Sequence, residues 1–261
     1  MSDDAGEIVL SMTEVHKGFG DVEVVRGASL EVRRGETLAI IGASGCGKSV
    51  ALRMLIGLLW PDEGSVAYEG RKLEEMESEE LARMRRDVAY VFQEDALFDS
   101  MSVLENVTYA LVEHTKQGDA EMIARAWECL ELVGLGQKER PNILGQMPAE
   151  LSGGMRRRVA LARSIALVPK VILYDEPMGG LDPANCRRIA DMIANLQAEY
   201  SLTSVVVTHH LPSVWRIADR VALMHEGRFL HVAPTEEFQA LADPIVESFV
   251  STEIKPPEEW V

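Results

Sequence analysis

The chain has 261 residues, 47% of them apolar, enough to bury a substantial core in one large domain or two small ones. Its formal charge of −16 repels phosphate backbones and so disfavours a broad nucleic-acid surface, though Arg156-Arg157-Arg158 could still meet an anion locally. Cys46, Cys129 and Cys186 are widely spaced without a C-x-x-C pair, which points to free thiols in a reducing compartment rather than a metal knot.

Met1 to Glu7 is acidic and lacks the basic and apolar regions of a signal peptide. Ile8 to Val15 reads as a strand, followed by a turn at Gly18-Phe19-Gly20. Val22 to Val25 and Ser29 to Val32 read as two further strands, closed by a turn at Arg33-Arg34-Gly35, so a small antiparallel sheet opens the fold. Glu36 to Ile41 is a short β-branched apolar run, expected as a buried strand. Gly42-Ala43-Ser44-Gly45-Cys46-Gly47-Lys48-Ser49 then fits G-x-x-x-x-G-K-[ST], and Val50 to Ile56 predicts a helix ending near Gly57. Strand, glycine loop and helix in that order are what a phosphate cradle needs. Glycines let the backbone approach closely, successive N–H groups point inward, and the helix N-terminus adds positive potential. Lys48 is expected on the terminal phosphates and the Ser49 hydroxyl on Mg²⁺. A chance glycine-rich turn would lack these flanks.

The longest apolar run, Val50 to Trp60, contains Arg53 and stops at Pro61, short of the ~18 residues that span a bilayer. Gly64 to Gly70 reads as a strand. Ser78 to Arg86 reads as a charged helix with Glu79 and Arg83 at i,i+4, and Val88 to Phe92 as a strand ending at Gln93. From Val103 to about Leu167 the character turns helical. Ala120 to Val133 places Ile123, Trp127, Leu130 and Val133 on one stripe that Gly134 ends, and a Trp there reads as core. Strand signals resume at Val171 to Tyr174. A helix follows from Pro183, capped by Asp182, with Ile189, Ile193 and Leu196 inward. Ser204 to Thr208 is another buried strand. A short helix near Val214 to Ala218 and a hairpin across Glu226-Gly227 come next, and no internal repeat appears. Parallel strands joined by helices make an α/β core.

Two further elements carry chemistry. The strand Val171 to Tyr174 ends in Asp175-Glu176, which its direction brings to the edge of the sheet where the phosphate loop lies. Asp175 suits the Mg²⁺ shell, usually through water, and Glu176 a general base that polarises an attacking water. An ordinary acidic strand end is the plainer reading, weakened by the phosphate loop in the same chain. Leu151-Ser152-Gly153-Gly154-Met155 combines a good N-cap with two glycines that expose helix-terminal N–H groups, which makes a second anion site. On its own that could be merely a capped helix.

Taken together, these motifs resemble the nucleotide-binding subunit of ABC transporters over nearly the whole chain. Gln93 after a strand is similar to the Q-loop, Gly180-Leu181-Asp182 to the D-loop, and Thr208-His209 to the switch histidine. The resemblance implies an α/β fold: a P-loop NTPase (RecA-like) core in 1–93 and 168–245, with an antiparallel β subdomain, an inserted helical subdomain in 94–167 and a C-terminal extension in 246–261. It implies ATP and Mg²⁺ as cofactors. Nucleotide would be held by Phe19 stacking on adenine, by Gly42, Ser44, Gly45, Cys46, Gly47, Lys48, Ser49 and Val50, and by Asp182. Metal would be held by Ser49, Gln93 and Asp175, and Glu176, His209 and Gln93 would serve catalysis. It implies a head-to-tail homodimer in which Ser152, Gly153 and Gly154 reach the γ-phosphate bound by the partner.

Met155, the stretch Gln93 to Val103, Glu113-His114-Thr115 and Ala242 to Phe249 are similar to the ATPases of MCE-type, or Mla-like, lipid transporters. That implies a position on the cytoplasmic face of the inner membrane, an integral-membrane permease, an MCE-domain substrate-binding protein, a small STAS-domain subunit in some complexes, and phospholipid or another lipid as cargo. His210 stands where many relatives have Asp and reads as a substitute cap. Cys46 reads as a backbone contributor whose thiol could sensitise the ATPase to alkylation. Ser251 to Val261, with Trp260, reads as a flexible end, or as a dimer anchor by analogy. An importer for an amino acid or another small solute competes with lipid transport. A soluble ABC ATPase acting on nucleic acid or ribosomes meets the acidic charge and the single cassette, and in a P-loop kinase the signature and switch motifs would have no job.

Overall fold

The computed structural model describes residues 6–93 and 95–254. Two sheets organise it. The first is antiparallel, in the order β2-β1-β4-β5, from β1 (Ile8–Phe19), β2 (Val22–Arg33), β4 (Glu63–Tyr68) and β5 (Arg71–Lys72). The second runs β10-β9-β3-β8-β7-β6, from β3 (Thr37–Ile41), β6 (Val88–Val91), β7 (Val171–Asp175), β8 (Thr203–Val207), β9 (Arg220–His225) and β10 (Arg228–Pro234). Its strands are parallel except for the β9–β10 hairpin. The helices are α1 (Lys48–Leu55), α2 (Ser78–Asp87), α3 (Val103–His114), α4 (Asp119–Leu132), α5 (Gly153–Ile165), α6 (Pro183–Tyr200), α7 (Leu211–Ile217), α8 (Thr235–Gln239) and α9 (Pro244–Ile254). This is the mixed α/β architecture that the strand–helix alternation leads one to expect.

The parallel strands are buried on both faces, and their alternation sorts the core. Leu38, Ile40, Leu173, Val205, Val207 and Met224 point into a cluster shared with α1 and the antiparallel sheet. Ile172, Tyr174 and Val206 point the other way, towards residues of α3 to α6, while Ala39, Ile41, Val221 and Leu223 meet α7, α8 and α9. Each such side chain contributes roughly 1.5–3 kcal/mol of burial. All β-edges that carry loops towards α1, α6 and α7 therefore share one rim.

Three expectations need correcting. The turn expected at Gly18-Phe19-Gly20 lies one step later: β1 continues to Phe19, which pairs with Val22. The two strands expected between Val22 and Val32 are one, because the irregularity is absorbed as bulges, with Glu14 at φ 47 and Gly27 at φ 73. A Cβ at Gly27 would stand 3.2 Å from His16 Nε2, so the bulge needs a glycine there. On α4 the inward face is Ala126, Cys129 and Leu130, followed by Val133, while Ile123 is exposed and Trp127 half-buried. The stripe is rotated because α4 packs on α3 and α5, which the local sequence does not encode. The α8 and α9 helices were not anticipated. Trp260 lies outside the described residues.

Val168 joins α5 to β7 in the left-handed region, at φ 54, with its side chain exposed. A β-branched residue is strained there, whereas Asn tolerates the conformation. Val168→Asn is expected to raise unfolding free energy by about 1 kcal/mol in urea titration; an unchanged or lower midpoint would count against the strain.

Candidate nucleotide site

β3 ends at Ile41 and the chain turns through Gly42 (φ 151), Gly45 (φ 78) and Gly47 (φ 108) into α1. The backbone passes so close to β9 that a Cβ on Gly42 would lie 2.2 Å from the Met224 carbonyl oxygen. A Cβ on Gly47 would sit 3.0 Å from Met224 Cε and 3.1 Å from Val24 O. At Gly45 there is open space, so only the backbone conformation asks for glycine. The loop therefore curls around a hollow at the N-terminus of α1, whose first turn holds no acidic residue. That is the geometry of an anion cradle.

Lys48 is buried and donates from Nζ to the carbonyls of Gly42 at 2.8 Å and Ala43 at 2.9 Å, arching back over the loop. Ser49 Oγ donates to Asp175 Oδ1 at 2.6 Å, and the other oxygen of Asp175 accepts from Tyr90 OH at 2.8 Å. Arg53 Nη2 stands 3.9 Å from that second oxygen. Burial, and then the hydrogen bond to Asp175, push the Tyr90 phenol well above its usual range, so it stays a donor. One buried carboxylate beside a hydroxyl at a phosphate cradle suits Mg²⁺, which takes few protein oxygens and fills its shell with phosphate and water. Those residues fit the ion.

Glu176 follows Asp175 in the left-handed region, at φ 49, and its carboxylate lies 3.0 Å from His209 Nδ1. Gly42, Ser44, Gly45, Gly47, Lys48, Ser49, Val50, Gln93, Glu176 and His209 all line one cavity of roughly 470 Å³. Cys46 and Asp175 are not in its wall. The Cys46 thiol is pushed up by burial, which outweighs Lys48 and makes it a poorer nucleophile than its place in the loop suggests. Phe19 is not in the wall either: its ring is half exposed near the β1–β2 turn, with Lys17 Nζ 5.8 Å from its centre.

Ser152, Gly153, Gly154 and Asp182 stand apart from the cavity. Ser152 caps α5, accepting from Met155 N at 3.3 Å, and Asp182 caps α6, accepting from Ala184 N and Asn185 N at 3.0 Å. The two N-termini are neighbours, since a Cβ on Gly154 would stand 3.5 Å from the side chain of Asn185, which donates to Asp182. His210 sits at the N-cap of α7, where its Nδ1 bonds Ser213 Oγ at 2.7 Å. His210 thus occupies the cap position expected of it, but its side chain makes no capping bond to a backbone N–H of α7.

The ABC transporter family model matches residues 25–179. The chain belongs to the ABC transporter family. Its cassette is an ATP-binding ATPase of the kind that drives a transporter. It is 35% identical to Protein TRIGALACTOSYLDIACYLGLYCEROL 3, chloroplastic, of Arabidopsis thaliana, across 96% of this chain and 76% of that protein. It is 34% identical to the probable ribonucleotide transport ATP-binding protein mkl of Mycobacterium tuberculosis (94% and 67%). It is 38% identical to the methionine import ATP-binding protein MetN of Mesorhizobium japonicum (92% and 64%). A solved relative is the dimeric ATP-binding cassette MJ0796 in a post-hydrolysis state bound to ADP and Pi, with TM-score 0.78 and 30% identity, covering 87% of this chain and 98% of that one. Among the described residues no helix is long and apolar enough to cross a membrane.

Three neighbours of the site were not read from the sequence. Val24 and Phe249 are in the cavity wall, and Tyr90 holds Asp175. Val24 and Tyr90 looked like ordinary strand residues, and Phe249 lies on α9, whose approach to the loop is a long-range event.

The two glycines give opposite expectations. Gly42→Ala should lose at least about 3 kcal/mol and abolish nucleotide binding, because the Met224 backbone cannot retreat. Gly45→Ala should cost only about 1 kcal/mol, from its positive φ alone. Thermal unfolding of both variants, with nucleotide titration, checks the contrast, and equal losses would refute it.

Proposed function

We propose that this chain is the ATP-hydrolysing motor of a membrane transporter that moves phospholipid or another lipid, working as a homodimer on an integral-membrane permease. The observation that carries the ATPase mechanism is the pair Glu176–His209, 3.0 Å apart at the mouth of the phosphate-loop cavity. In this reading Glu176 takes a proton from the attacking water as its oxygen bonds the γ-phosphorus and the bond to ADP breaks. His209 holds the carboxylate in place and meets the γ-phosphate. Lys48 exchanges its contacts with Gly42 and Ala43 for phosphate oxygens, which replace the carbonyls at similar distance. Ser49, Asp175 and Gln93 would hold Mg²⁺, which when bound neutralises charge developing on the phosphates. Backbone N–H groups of Gly45, Cys46, Gly47 and Val50, with Ser44, complete the cradle, and Phe19 stacks on the base when nucleotide draws the β1–β2 turn inward.

The wall supplied by one copy leaves Ser152, Gly153, Gly154 and Asp182 without a ligand. Ser152 and Asp182 are N-caps and Gly153 and Gly154 open the first turn of α5, all of them exposed or half-buried. A second copy placed head to tail would bring that rim over the cavity and close the site on ATP. Hydrolysis would remove the γ-phosphate that both copies share and reopen the dimer.

Lipid as cargo is supported by the relative whose name is that of a galactolipid and by the stretch Gln93 to Val103, similar to MCE-type ATPases. The reading adds an MCE-domain protein and a small STAS-domain subunit as partners, and a place on the cytoplasmic face of the membrane. The methionine-import relative favours a second reading, an importer for an amino acid.

Glu176→Gln is expected to retain ATP, accumulate as a dimer on gel filtration and lose turnover by about 100-fold or more. Full ATPase activity in that variant would remove Glu176 from the mechanism. Lys48→Ala should weaken ATP binding by about tenfold or more, read by calorimetry. Purification from membranes with the permease, followed by lipid analysis, should yield bound phospholipid; stimulation of the ATPase by an amino acid and its binding protein would instead favour the second reading.

A further inference from the structure

We propose that Arg157 is a positioning residue for the metal-side half of the site, holding Gln93 in place from the helix that carries the signature turn. Arg157 lies one turn into α5, three residues after Gly154 of Leu151-Ser152-Gly153-Gly154, and is buried. Its guanidinium does not turn to solvent or to the anion site at the head of its own helix. Nη1 donates to the backbone carbonyls of Phe92, at 3.3 Å, and of Gln93. Nη2 reaches the Gly179 carbonyl at 3.4 Å, in the turn that begins with Glu176, and Nε pairs with the Asp95 carboxylate at 2.9 Å. One side chain therefore bonds the backbone of Gln93 itself and the far end of the turn that Glu176 begins.

The segment it holds is one that would not keep its shape alone. Asp95 and Ala96 are consecutive non-glycine residues in the left-handed region, at φ 52 and 47. Such a pair persists only where the surroundings over-determine it. The surroundings here are arginines of α5. Besides the Arg157 contacts, Arg163 donates to the Ala96 carbonyl at 2.8 Å and the Asp95 carbonyl at 3.4 Å, and its guanidinium packs over the Phe98 ring at 5.6 Å. Arg156 adds a longer pairing with Asp95 at 3.7 Å. A planar fork that serves two carbonyl directions and one carboxylate is a task for arginine, since lysine offers a point charge. A buried guanidinium also needs acceptors, so the contact is mutual: the Phe92 and Gln93 carbonyls accept from Nη1, Asp95 balances the charge as an ion pair without a hydrogen bond to Nε, and the guanidinium in turn holds the loop.

The consequence is directional. Arg157 does not touch the phosphate cradle and bears on the metal side through the backbone of Gln93, so its loss should spare metal-free nucleotide binding and impair the metal-dependent part. This rests on the nucleotide reading above. ATP affinity is measured by calorimetry on the full-length chain, with EDTA and again with saturating Mg²⁺, for wild type, Arg157→Gln, Arg157→Lys, Gln93→Ala and the Arg157→Gln/Gln93→Ala pair. For Arg157→Gln the affinity in EDTA should match wild type, while the tightening brought by Mg²⁺ should shrink about tenfold, the size expected when a group behind a metal ligand is removed. Gln93→Ala should show the same loss, and the double variant no further loss, because both act on one contact. Arg157→Lys should recover part of the tightening. Equal Mg²⁺ tightening in Arg157→Gln and wild type, or additive losses in the double variant, would overturn the proposal. If Arg157→Gln is unstable, Asp95→Asn removes the ion pair at constant size and is read the same way. A wild-type chain that binds no ATP even with saturating Mg²⁺ would refute the nucleotide reading instead.

Discussion

The structure turns on the burial of one carboxylate. Asp175 is 1% exposed at the end of a central strand, where an unpaired charge would be costly. It is met by Ser49 from α1, Tyr90 from β6 and, at longer range, Arg53. These partners fix the first turn of α1 against the ends of two neighbouring strands. Because α1 begins at Lys48, the same bonds fix where the phosphate loop closes. The loop in turn can close there only because Gly42 lets β3 pass the Met224 carbonyl on β9. The position of the cradle is thus set by a hydrogen-bonded charge on one side and a backbone contact on the other. Local preference for a turn plays little part.

A second pair of helix N-termini lies outside the cavity wall. Helices α5 and α6 begin side by side, with Gly154, Asn185 and Asp182 in one small cluster. The α5 N-terminus carries two glycines in its first turn and so presents backbone N–H groups without bulk, whereas α6 begins with Pro183, which has no N–H, and its next two N–H groups are taken by Asp182. Arg157 and Arg163 of α5 add no positive charge to these N-termini, because they are committed to carbonyls inside the molecule. Their bonds tie the helical block to the segment that leaves the end of β6.

Much of this was legible from the chain. The strand–loop–helix around Gly42 to Ser49, the paired acids at Asp175-Glu176 and the capped helix at Ser152 are local patterns, and each is found where the sequence puts it. What escaped is non-local. The β1 bulge at Glu14 is set by pairing with a distant strand, and the α4 face is set by α3 and α5. Phe249 reaches the cavity only because α9 packs on α7, whose start follows His209 directly. Phe19 shows the converse. A motif can name the residue while the folded chain holds its ring half exposed, away from the wall it is expected to complete.

The two adjacent acids illustrate how one step of backbone separates two roles. Along β7 the side chains alternate, Leu173 towards α1 and Tyr174 towards the α6 side. Asp175 continues the alternation and points to α1, where Ser49 meets it. Regular alternation would send Glu176 to the opposite face, into the apolar cluster around Tyr174. Instead the chain leaves the strand at Glu176 with φ 49, and the carboxylate swings towards the cavity and His209. A left-handed non-glycine residue costs of order 1–3 kcal/mol. Here the bonds on either side hold it, Glu176 N donating to Val207 O at 2.9 Å and Gly179 N to Glu176 O at 3.0 Å. Relaxing that turn would relieve the strain but bury a charge among hydrocarbon, a larger penalty. The strained conformation is therefore the cheaper of the two, and it is the one that leaves a carboxylate facing the place where phosphate would lie.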